Sequence, residues 1–298
     1  MRVKVDHRTK HAEEIGDRIA VIDDKAGQPV REFNYVVFNE QVNALANGFL
    51  ALGASEGSHI AWWGNNSVEV LLTIHAMRKS GGVSIPMQYR STREEANYLL
   101  GVADVEILVI ENRYVSVIEG LREELPNLKH IITFGMDKEK SVEKTMGEIL
   151  GPVSTPSSEG NFASTHNMIF TSGTTGNPKG AVRKVGGEAN QYGPLLQLLG
   201  WDRMDSLIFL TTGPLYHSGP SGFALRSQLV GATVVTQYAF DPVDWLRLVS
   251  THNVSATFSA PTPIRRITSL PNDVKDMYDV SSLRSLIANA AQWTMNLK

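Results

Sequence analysis

A ten-residue stretch, Thr171 to Gly180, combines the residue types that bind phosphate. It contains four hydroxyl residues, three glycines and one lysine, and it directly follows a short apolar run. Glycine lets backbone N–H groups turn toward an anion, hydroxyl groups donate further hydrogen bonds, and lysine supplies the compensating charge. We therefore interpret the stretch as a phosphate-binding loop with Lys179 as its cation.

Two common nucleotide-binding motifs do not fit this loop. The Walker motif needs a second glycine five positions after the first, followed by Lys and then Ser or Thr. Counted from Gly173, that position is Pro178, and the following lysine precedes another glycine. The Rossmann pattern G-x-G-x-x-G does not occur in the chain. For an arbitrary Gly/Ser/Thr tract, the alternative interpretation is a flexible surface turn.

The order of residues in the loop resembles that of one family. Met168 to Lys184 reads MIFTSGTTGNPKGAVRK. The part TSGTTGNPKG is similar to the phosphate loop TSGTTGxPKG of the AMP-forming acyl-CoA synthetases and their adenylating relatives. Only Asn177 occupies a position that the family leaves free, so the match is specific.

The similarity continues on both sides of the loop. Upstream it covers Ala20 to Glu111, including FNEQVNALANGFLALGASEG and STREEANYLLGVADVEILVIE. Downstream, PLYHSGP, ATFSAPTPIRRI and SLRSLIANAA follow in the family's order. The resemblance thus runs from roughly Gly16 to the last residue, and its pattern is nearest to that of bacterial fatty-acyl or aryl-acyl-CoA ligases.

The resemblance implies a reaction in two steps. A carboxylate attacks the α-phosphorus of ATP to give an acyl-adenylate and pyrophosphate, and the thiol of coenzyme A then displaces AMP to give a thioester. Preorganised N–H, O–H and ammonium donors, with Mg²⁺, stabilise the charge on the departing pyrophosphate. The implied cofactors are ATP, Mg²⁺ and coenzyme A, the expected substrate is a fatty acid, and no side chain acts as a nucleophile.

The resemblance also implies roles for individual residues. Thr171, Lys179 and His217 correspond to positions in the catalytic machinery, and no metal ligand is assigned. An aromatic–histidine pair lines the acyl pocket where it meets the channel for the pantetheine arm. The implied nucleotide contacts are Thr171, Ser172, Gly173, Thr174, Thr175, Gly176, Lys179, Ala288, Asn289, Ala290 and Ala291, and the implied acyl contacts are Tyr216, His217, Ser218 and Gly219.

Some of the candidate residues have a plainer alternative. A lone histidine beside a tyrosine is more often packed or solvated than catalytic, and its place in PLYHSGP is what favours the acyl pocket for His217. In ANAAQW, Asn289 and Gln292 replace the family's glycine and proline, and the alternative is an ordinary exit from a strand. His7 and His11 lie four apart in a polar segment, and we expect both to be solvated.

The family's later motifs do not occur before Lys298. These are an aromatic-G-x-T-E motif, a T-G-D motif, a hinge and a C-terminal lid with a catalytic lysine. We therefore expect residues 1–298 to be a partial N-terminal adenylation domain without its lid, poorly soluble or partly molten, and inactive by itself. The alternatives are a catalytically incompetent acyl- and nucleotide-binding module, and an adenylation domain that loads a carrier protein.

Apolar periodicity predicts an α/β fold, with parallel sheets flanked by helices. Helices are expected from Tyr35 to Leu52, from Ser67 to Lys79 and near Phe223 to Leu229, with strands such as His59–Trp63 and Val105–Ile110 between them. This alternation indicates parallel sheets that are buried on both faces. The resemblance identifies the fold as an incomplete large N-terminal domain of an adenylate-forming enzyme.

Local signals mark the ends of several elements. Thr92 and Glu95 form a capping box that opens a helix, and Asp241-Pro242 opens another. The phosphate loop follows a strand, Asn167 to Thr171, which is where open α/β sheets place their ligands. GPVSTPSSEG, from Gly151 to Gly160, has the composition of a linker.

Composition narrows the class of protein. A net charge of -3 and a pI near 6.3 give no bias toward nucleic acid or an anionic membrane. The absence of cysteine removes disulfides, thiolate metal sites and a cysteine nucleophile. The N-terminus lacks the apolar core of a signal peptide, and no apolar run is long enough to span a bilayer. We expect a cytoplasmic protein without nucleic-acid partners, and leave peripheral membrane contact and oligomeric state open.

Overall fold

The structure of the chain, a computed structural model, describes residues 6–135, 144–154, 165–171, 179–185, 194–201 and 206–288. For 165–171 and 179–185 it describes the backbone. The chain divides into two compact units. Unit 1 comprises Met1–Asp6, Asn39–Asn65 and Glu69–Glu188, and unit 2 comprises His7–Phe38, Asn66–Val68 and Ala189–Lys298.

Helices and strands alternate along most of the described chain. The strands are β1 (Ile19–Asp23), β2 (Arg31–Asn34), β3 (His59–Trp63), β4 (Val83–Pro86), β5 (Ile107–Glu111), β6 (His130–Phe134), β7 (Lys144–Thr145), β8 (Thr165–Thr171), β9 (Lys179–Val185), β10 (Ile208–Thr211), β11 (Thr233–Thr236), β12 (Ala256–Ser259) and β13 (Ser285–Ala288). The helices are α1 (His7–Glu14), α2 (Tyr35–Ala51), α3 (Val68–Ser80), α4 (Arg93–Val102), α5 (Ser218–Leu229), α6 (Pro242–His252), α7 (Pro261–Thr268) and α8 (Asn272–Lys275).

Unit 1 is built on a seven-stranded sheet in the order β7-β6-β5-β3-β4-β8-β9. Every pair is parallel except β8 and β9, which are antiparallel. One core cluster joins Trp63 and Ile110 of the sheet to Leu99 and Leu100 of α4. The buried strands read as continuous apolar runs because a parallel sheet is covered on both faces.

Lys79, near the end of α3, carries a buried charge in unit 1. Its side chain is fully buried, and its Nζ lies 2.8 Å from Oδ2 of Asp6. The same ammonium donates to Oδ1 of Asn39 and to Oδ1 of Asn43, at 2.6 Å each. A buried charge needs partners for its N–H groups, and one carboxylate and two amides meet that need here.

Unit 2 is built on a six-stranded sheet in the order β13-β12-β10-β11-β1-β2. All neighbouring strands are parallel except β1 and β2. Trp245, Leu246 and Val249 of α6 pack with Leu210 and Val235 of the sheet in one core cluster. The alternation of β10, α5, β11, α6 and β12 is that of βαβ crossovers between parallel strands, which as a class are nearly always right-handed.

A buried ion cluster links the end of β1 to α6 in unit 2. Asp24 accepts hydrogen bonds from Arg247 Nη1 at 2.8 Å and from Arg247 Nη2 at 3.0 Å, and His252 Nε2 lies 2.8 Å from its carboxylate. Burial alone would raise the pKa of Asp24, but the hydrogen bonds from Arg247 and His252 outweigh it and hold that pKa below its usual value.

The predicted fold class is confirmed, and most predicted elements lie within two residues of their expected bounds. The helix expected from Tyr35 to Leu52 is α2, and the capping box is complete. Glu95 N donates to Thr92 Oγ1 at 3.2 Å, and Thr92 N donates to Glu95 Oε2 at 2.9 Å. Asp241 likewise caps α6 by accepting from the backbone N–H groups of Val243 and Asp244.

One expectation about the N-terminal segment is wrong. His11 was expected to be solvated, but its Nε2 donates to the Leu229 carbonyl at 3.1 Å, and its ring lies edge-on against Tyr35 at 5.2 Å. Burial lowers the pKa of His11 and outweighs the hydrogen bond, which acts in the opposite direction. The polar composition of the segment concealed that one face of α1 packs on the rest of unit 2. None of the described helices has the length and apolar character needed to cross a membrane.

Candidate active site

The predicted phosphate loop lies between the two strands of a hairpin in unit 1. β8 pairs with β9 along its whole length, from Thr165 opposite Val185 to Thr171 opposite Lys179. The loop predicted from the sequence therefore leaves β8 at Thr171 and returns at Lys179. Five of its predicted nucleotide contacts, Ser172, Gly173, Thr174, Thr175 and Gly176, lie outside the described residues.

The pairing of β8 explains why the loop lies at an end of the sheet. β8 is parallel to β4, but it pairs with that strand only at His166 and Asn167. The residues from Met168 to Thr171 pair with β9 alone. Thr171 is thus at the carboxyl end of β8, beyond its pairing with β4, and open α/β sheets bind ligands outside their carboxyl ends.

In unit 2, the strand order changes direction between β10 and β12. From β10 the chain crosses through α5 to β11 on one side, whereas from β12 it continues to β13 on the other side. Such a reversal opens a crevice at the carboxyl ends of the two strands, and this is the usual ligand site of the fold class. The segment PLYHSGP, Pro214 to Pro220, directly follows the β10 end of this crevice.

His217 lies immediately before α5. The helix was expected near Phe223, but it begins at Ser218, so Ser218 and Gly219 form its first turn. His217 N donates to the Pro214 carbonyl at 3.1 Å and closes a turn, and Ser221 N donates to the His217 carbonyl at 3.1 Å. Its backbone is extended, with φ of -83° and ψ of 139°, as at a helix N-cap.

The His217 ring is available for contacts with a ligand. It is exposed, its centroid lies 4.3 Å from that of the Tyr216 ring, and it makes no hydrogen bond within the described part of the chain. Partial burial lowers its pKa below the ordinary value of 6.5. The ring is therefore mainly neutral at pH 7, so that it can sit beside an apolar group without the cost of burying a charge.

An aromatic cluster supports the first turn of α5. A Cβ added at Gly219 would lie 2.6 Å from Cζ of Phe258, so only glycine permits this approach. The Phe258 ring stacks on Phe223 with centroids 4.8 Å apart, and Trp201 meets Phe223 edge-on at 6.1 Å. These rings fix α5 against the end of β12. Phe258 and Phe223 were not among the predicted site residues.

Ala288 lies at the same edge of the unit 2 sheet as His217. It is the last residue of β13, and it is the register partner of Ser259 at the end of β12. Because β10, β12 and β13 are mutually parallel, their carboxyl ends lie at the same end of the sheet. Asn289, Ala290 and Ala291 lie outside the described residues. Among the residues that the structure does describe, no three His, Cys, Asp or Glu side chains gather to hold a metal ion.

Asn66 was not among the predicted site residues. It follows β3, yet its amide reaches the segment between β10 and His217 within unit 2. The sequence does contain a signal for it. Asn65-Asn66 follows the apolar strand HIAWW after one glycine, at the carboxyl end of a predicted parallel strand.

Known proteins with similar sequences are ligases that form CoA thioesters. The chain is 26% identical over 269 residues to an indoleacetate–CoA ligase of Aromatoleum aromaticum, an alignment that covers 87% of this chain and 50% of the relative. It is also 26% identical over 258 residues to a feruloyl-CoA synthase of Amycolatopsis sp., covering 86% and 49%. The chain thus spans about half the length of these relatives.

Solved structures share the fold. A putative long-chain-fatty-acid CoA ligase of Rhodopseudomonas palustris superposes with a TM-score of 0.81 at 22% identity, covering 98% of this chain and 70% of that chain. An anthranilate CoA ligase in complex with anthranoyl-AMP gives a TM-score of 0.80 at 18% identity, covering 97% and 55%. A family model described as AMP-binding enzyme matches residues 9–297. The chain belongs to the family of AMP-binding enzymes.

Proposed function

We propose that this chain binds ATP and a carboxylic acid and joins them into an acyl-adenylate, which then passes its acyl group to coenzyme A. The observation that carries the proposal is the loop TSGTTGNPKG, which spans from Thr171 to Lys179 across the end of a hairpin. The match of an AMP-binding family model to residues 9–297 supports it.

The loop is suited to the first chemical step. The substrate carboxylate attacks the α-phosphorus, the bond to the bridging oxygen breaks, and pyrophosphate leaves with the negative charge. The hydroxyls of Ser172, Thr174 and Thr175, the backbone N–H groups at the glycines and the Lys179 ammonium hold the β- and γ-phosphates. Mg²⁺ bound together with ATP would neutralise part of the same charge. The residue types of the loop fit this role because they offer donors and one cation but no carboxylate.

The crevice between β10 and β12 is the proposed acid site. Tyr216, His217, Ser218 and Gly219 line it, and a neutral imidazole is compatible with an apolar acyl group. Ala288 at the end of β13, with Asn289, Ala290 and Ala291 after it, runs along the adenine. In the second step, the thiol of coenzyme A attacks the acyl carbonyl, AMP leaves, and the thiol proton is released.

The proposed acid is a fatty acid. A relative of Mycobacterium marinum with 24% identity is named a medium/long-chain-fatty-acid–CoA/3-oxocholest-4-en-26-oate–CoA ligase, which supports this choice. Other relatives are named for indoleacetate and ferulate, which are aromatic acids. A panel of acids must therefore contain both kinds.

The test is acid-dependent release of pyrophosphate from ATP and Mg²⁺ by the purified protein at its full encoded length. Short, medium and long fatty acids, indoleacetate and ferulate are compared, each with and without coenzyme A, and AMP and thioester are quantified. We expect one AMP per thioester, with fatty acids preferred. A carrier-protein loader would release pyrophosphate but make no CoA thioester, and a binding module would bind ATP without releasing pyrophosphate with any acid.

A further inference from the structure

Asn66 belongs to unit 2, although the strand before it and most of the helix after it belong to unit 1. The chain leaves β3 of unit 1, and the three residues Asn66–Val68 group with unit 2 before α3 continues in unit 1. The Asn66 side chain is buried, with 5% of its surface exposed. A buried primary amide needs hydrogen-bond partners for its two N–H donors and its acceptor oxygen, so those partners show which part of the chain the side chain fixes.

All three partners of Asn66 lie on one short segment of unit 2. Its Oδ1 accepts from Leu215 N at 2.8 Å, and its Nδ2 donates to the Gly213 carbonyl at 3.0 Å and to Thr211 Oγ1 at 3.4 Å. The partners also fix the orientation of the amide, because a backbone N–H can only donate and a carbonyl can only accept. No other described residue bonds to Leu215 N or to the Gly213 carbonyl.

The held segment leads directly into His217. Leu215 lies inside the turn that His217 N closes on the Pro214 carbonyl, and the Gly213 carbonyl directly precedes that turn. On the other side, a Cβ at Gly213 would lie 2.7 Å from Cγ of Pro220, so α5 packs closely against the same backbone. A shift of Leu215 would therefore move the Tyr216 and His217 side chains. Within the described residues, no hydrogen bond to the His217 ring would oppose that movement.

We propose that Asn66 is a positioning residue that sets the place of Tyr216 and His217 and thereby determines which acids the crevice between β10 and β12 accepts. The proposal deepens the assignment of the acyl site, and its second half, the choice of acid, rests on that assignment. Its first half, that Asn66 fixes the segment from Gly213 to His217, does not depend on any activity of the protein. Asn66 touches neither substrate nor reacting atoms and acts through the backbone that it holds.

The first measurement follows the backbone. In Asn66→Ala, the Leu215 amide loses its acceptor, and hydrogen exchange measured by NMR should accelerate about fivefold or more, the scale of one lost hydrogen bond. The His217 imidazole titrates in the same spectra, and its pKa should change because the surroundings of the ring change. Asn112→Ala is the matched control, because Asn112 is equally buried and donates to the Gly135 carbonyl at 3.2 Å in unit 1.

The second measurement follows specificity. In Asn66→Ala, the ratio of kcat/KM between a long fatty acid and an aromatic acid should change, while the KM for ATP stays the same. Should Asn66→Ala fail to fold, Asn66→Asp takes its place, because it keeps an acceptor for Leu215 N and loses the donor to the Gly213 carbonyl. Its effect should diminish at low pH, where the new carboxylic acid is protonated and can donate again.

Unchanged exchange at Leu215 and an unchanged His217 titration would overturn the proposal. Faster exchange with an unaltered ranking of acids would overturn its specificity half. Failure of the proposed function is a separate result, since it would appear as no pyrophosphate release by the unsubstituted protein with any acid.

Discussion

Thr171 and Lys179 are direct partners in the antiparallel pairing of β8 and β9. Residues paired in this way have Cα atoms about 5 Å apart, so the backbone brings the first residue and the lysine of the predicted phosphate loop together. Both ends of the predicted phosphate loop are thus fixed by the sheet. We expect this anchoring to help preorganise the donors of the loop for a charge that develops during reaction.

Lys179→Ala should slow adenylate formation by on the order of a hundredfold or more, the scale of losing one preorganised donor to a charged transition state. Thr175→Ala should be milder because neighbouring hydroxyls remain. Lys184→Ala is the matched control, since Lys184 pairs with His166 at the far end of the same hairpin. Rapid-quench measurement of acyl-adenylate decides the matter, and an unchanged rate in Lys179→Ala removes the lysine from this role.

His217→Ala should alter the order of preference among carboxylic acids while the KM for ATP changes little. The reason is that the ring is exposed beside Tyr216 at the predicted acyl pocket and makes no hydrogen bond with any other described residue. Specificity constants for short, long and aromatic acids provide the measurement. A uniform loss across all acids, with the KM for ATP rising in parallel, would indicate a structural histidine.

Thermal stability should fall as the pH is lowered through the range in which histidines titrate. Burial lowers the pKa of His11, His130 and His217 in the folded chain. Below about pH 6.5 the unfolded chain therefore binds protons that the folded chain does not, and protonation favours unfolding. The midpoint of thermal unfolding at pH 7.5 and at pH 5.5 gives the size of the effect.

His11→Gln should reduce this dependence on pH, because an amide can still donate to the Leu229 carbonyl and does not titrate. His7→Gln, on the same face of α1, is the control. Equal pH dependence in the unsubstituted protein and in His11→Gln would show that the buried His11 contributes nothing to it.

Lys79→Ala should lower the free energy of unfolding by about 3 to 5 kcal/mol, because it removes the buried ammonium that compensates a buried carboxylate. That carboxylate belongs to Asp6, whose side chain is 6% exposed. The matched control is Lys10→Ala, which removes an exposed pair with Glu14 and should cost at most about 1 kcal/mol. Urea unfolding of both variants tests the contrast, and equal losses would contradict it.

Local signals were enough to predict much of the fold. The spacing of Phe38, Val42 and Leu45 defined α2, and the Thr92–Glu95 capping box was found as expected. The hairpin partner β9 was not predicted, because glycine and charged residues in KGAVRKV give no clear strand pattern. β9 becomes a strand by pairing with β8, which is a tertiary effect that propensity cannot show.

The candidate site was predicted less completely than the fold. The loop and PLYHSGP were recognisable by residue type and order, whereas the contact of Asn66 with Leu215 joins residues 149 positions apart. Likewise, Phe258 reads as an ordinary strand residue in ATFS and becomes informative only through its contact with Gly219. Such long-range pairs depend on how parallel strands are ordered in the sheet, and the order of strands cannot be read from periodicity.

Exchange of labelled pyrophosphate into ATP tests the central claim most directly, because it reports formation and reversal of the adenylate without coenzyme A. We expect the full-length encoded protein to catalyse this exchange only when a carboxylic acid and Mg²⁺ are present, to yield AMP and no ADP, and to lose the exchange in Lys179→Ala but not in Lys184→Ala. Exchange that does not depend on acid, release of ADP and phosphate, or full exchange in Lys179→Ala would contradict the account.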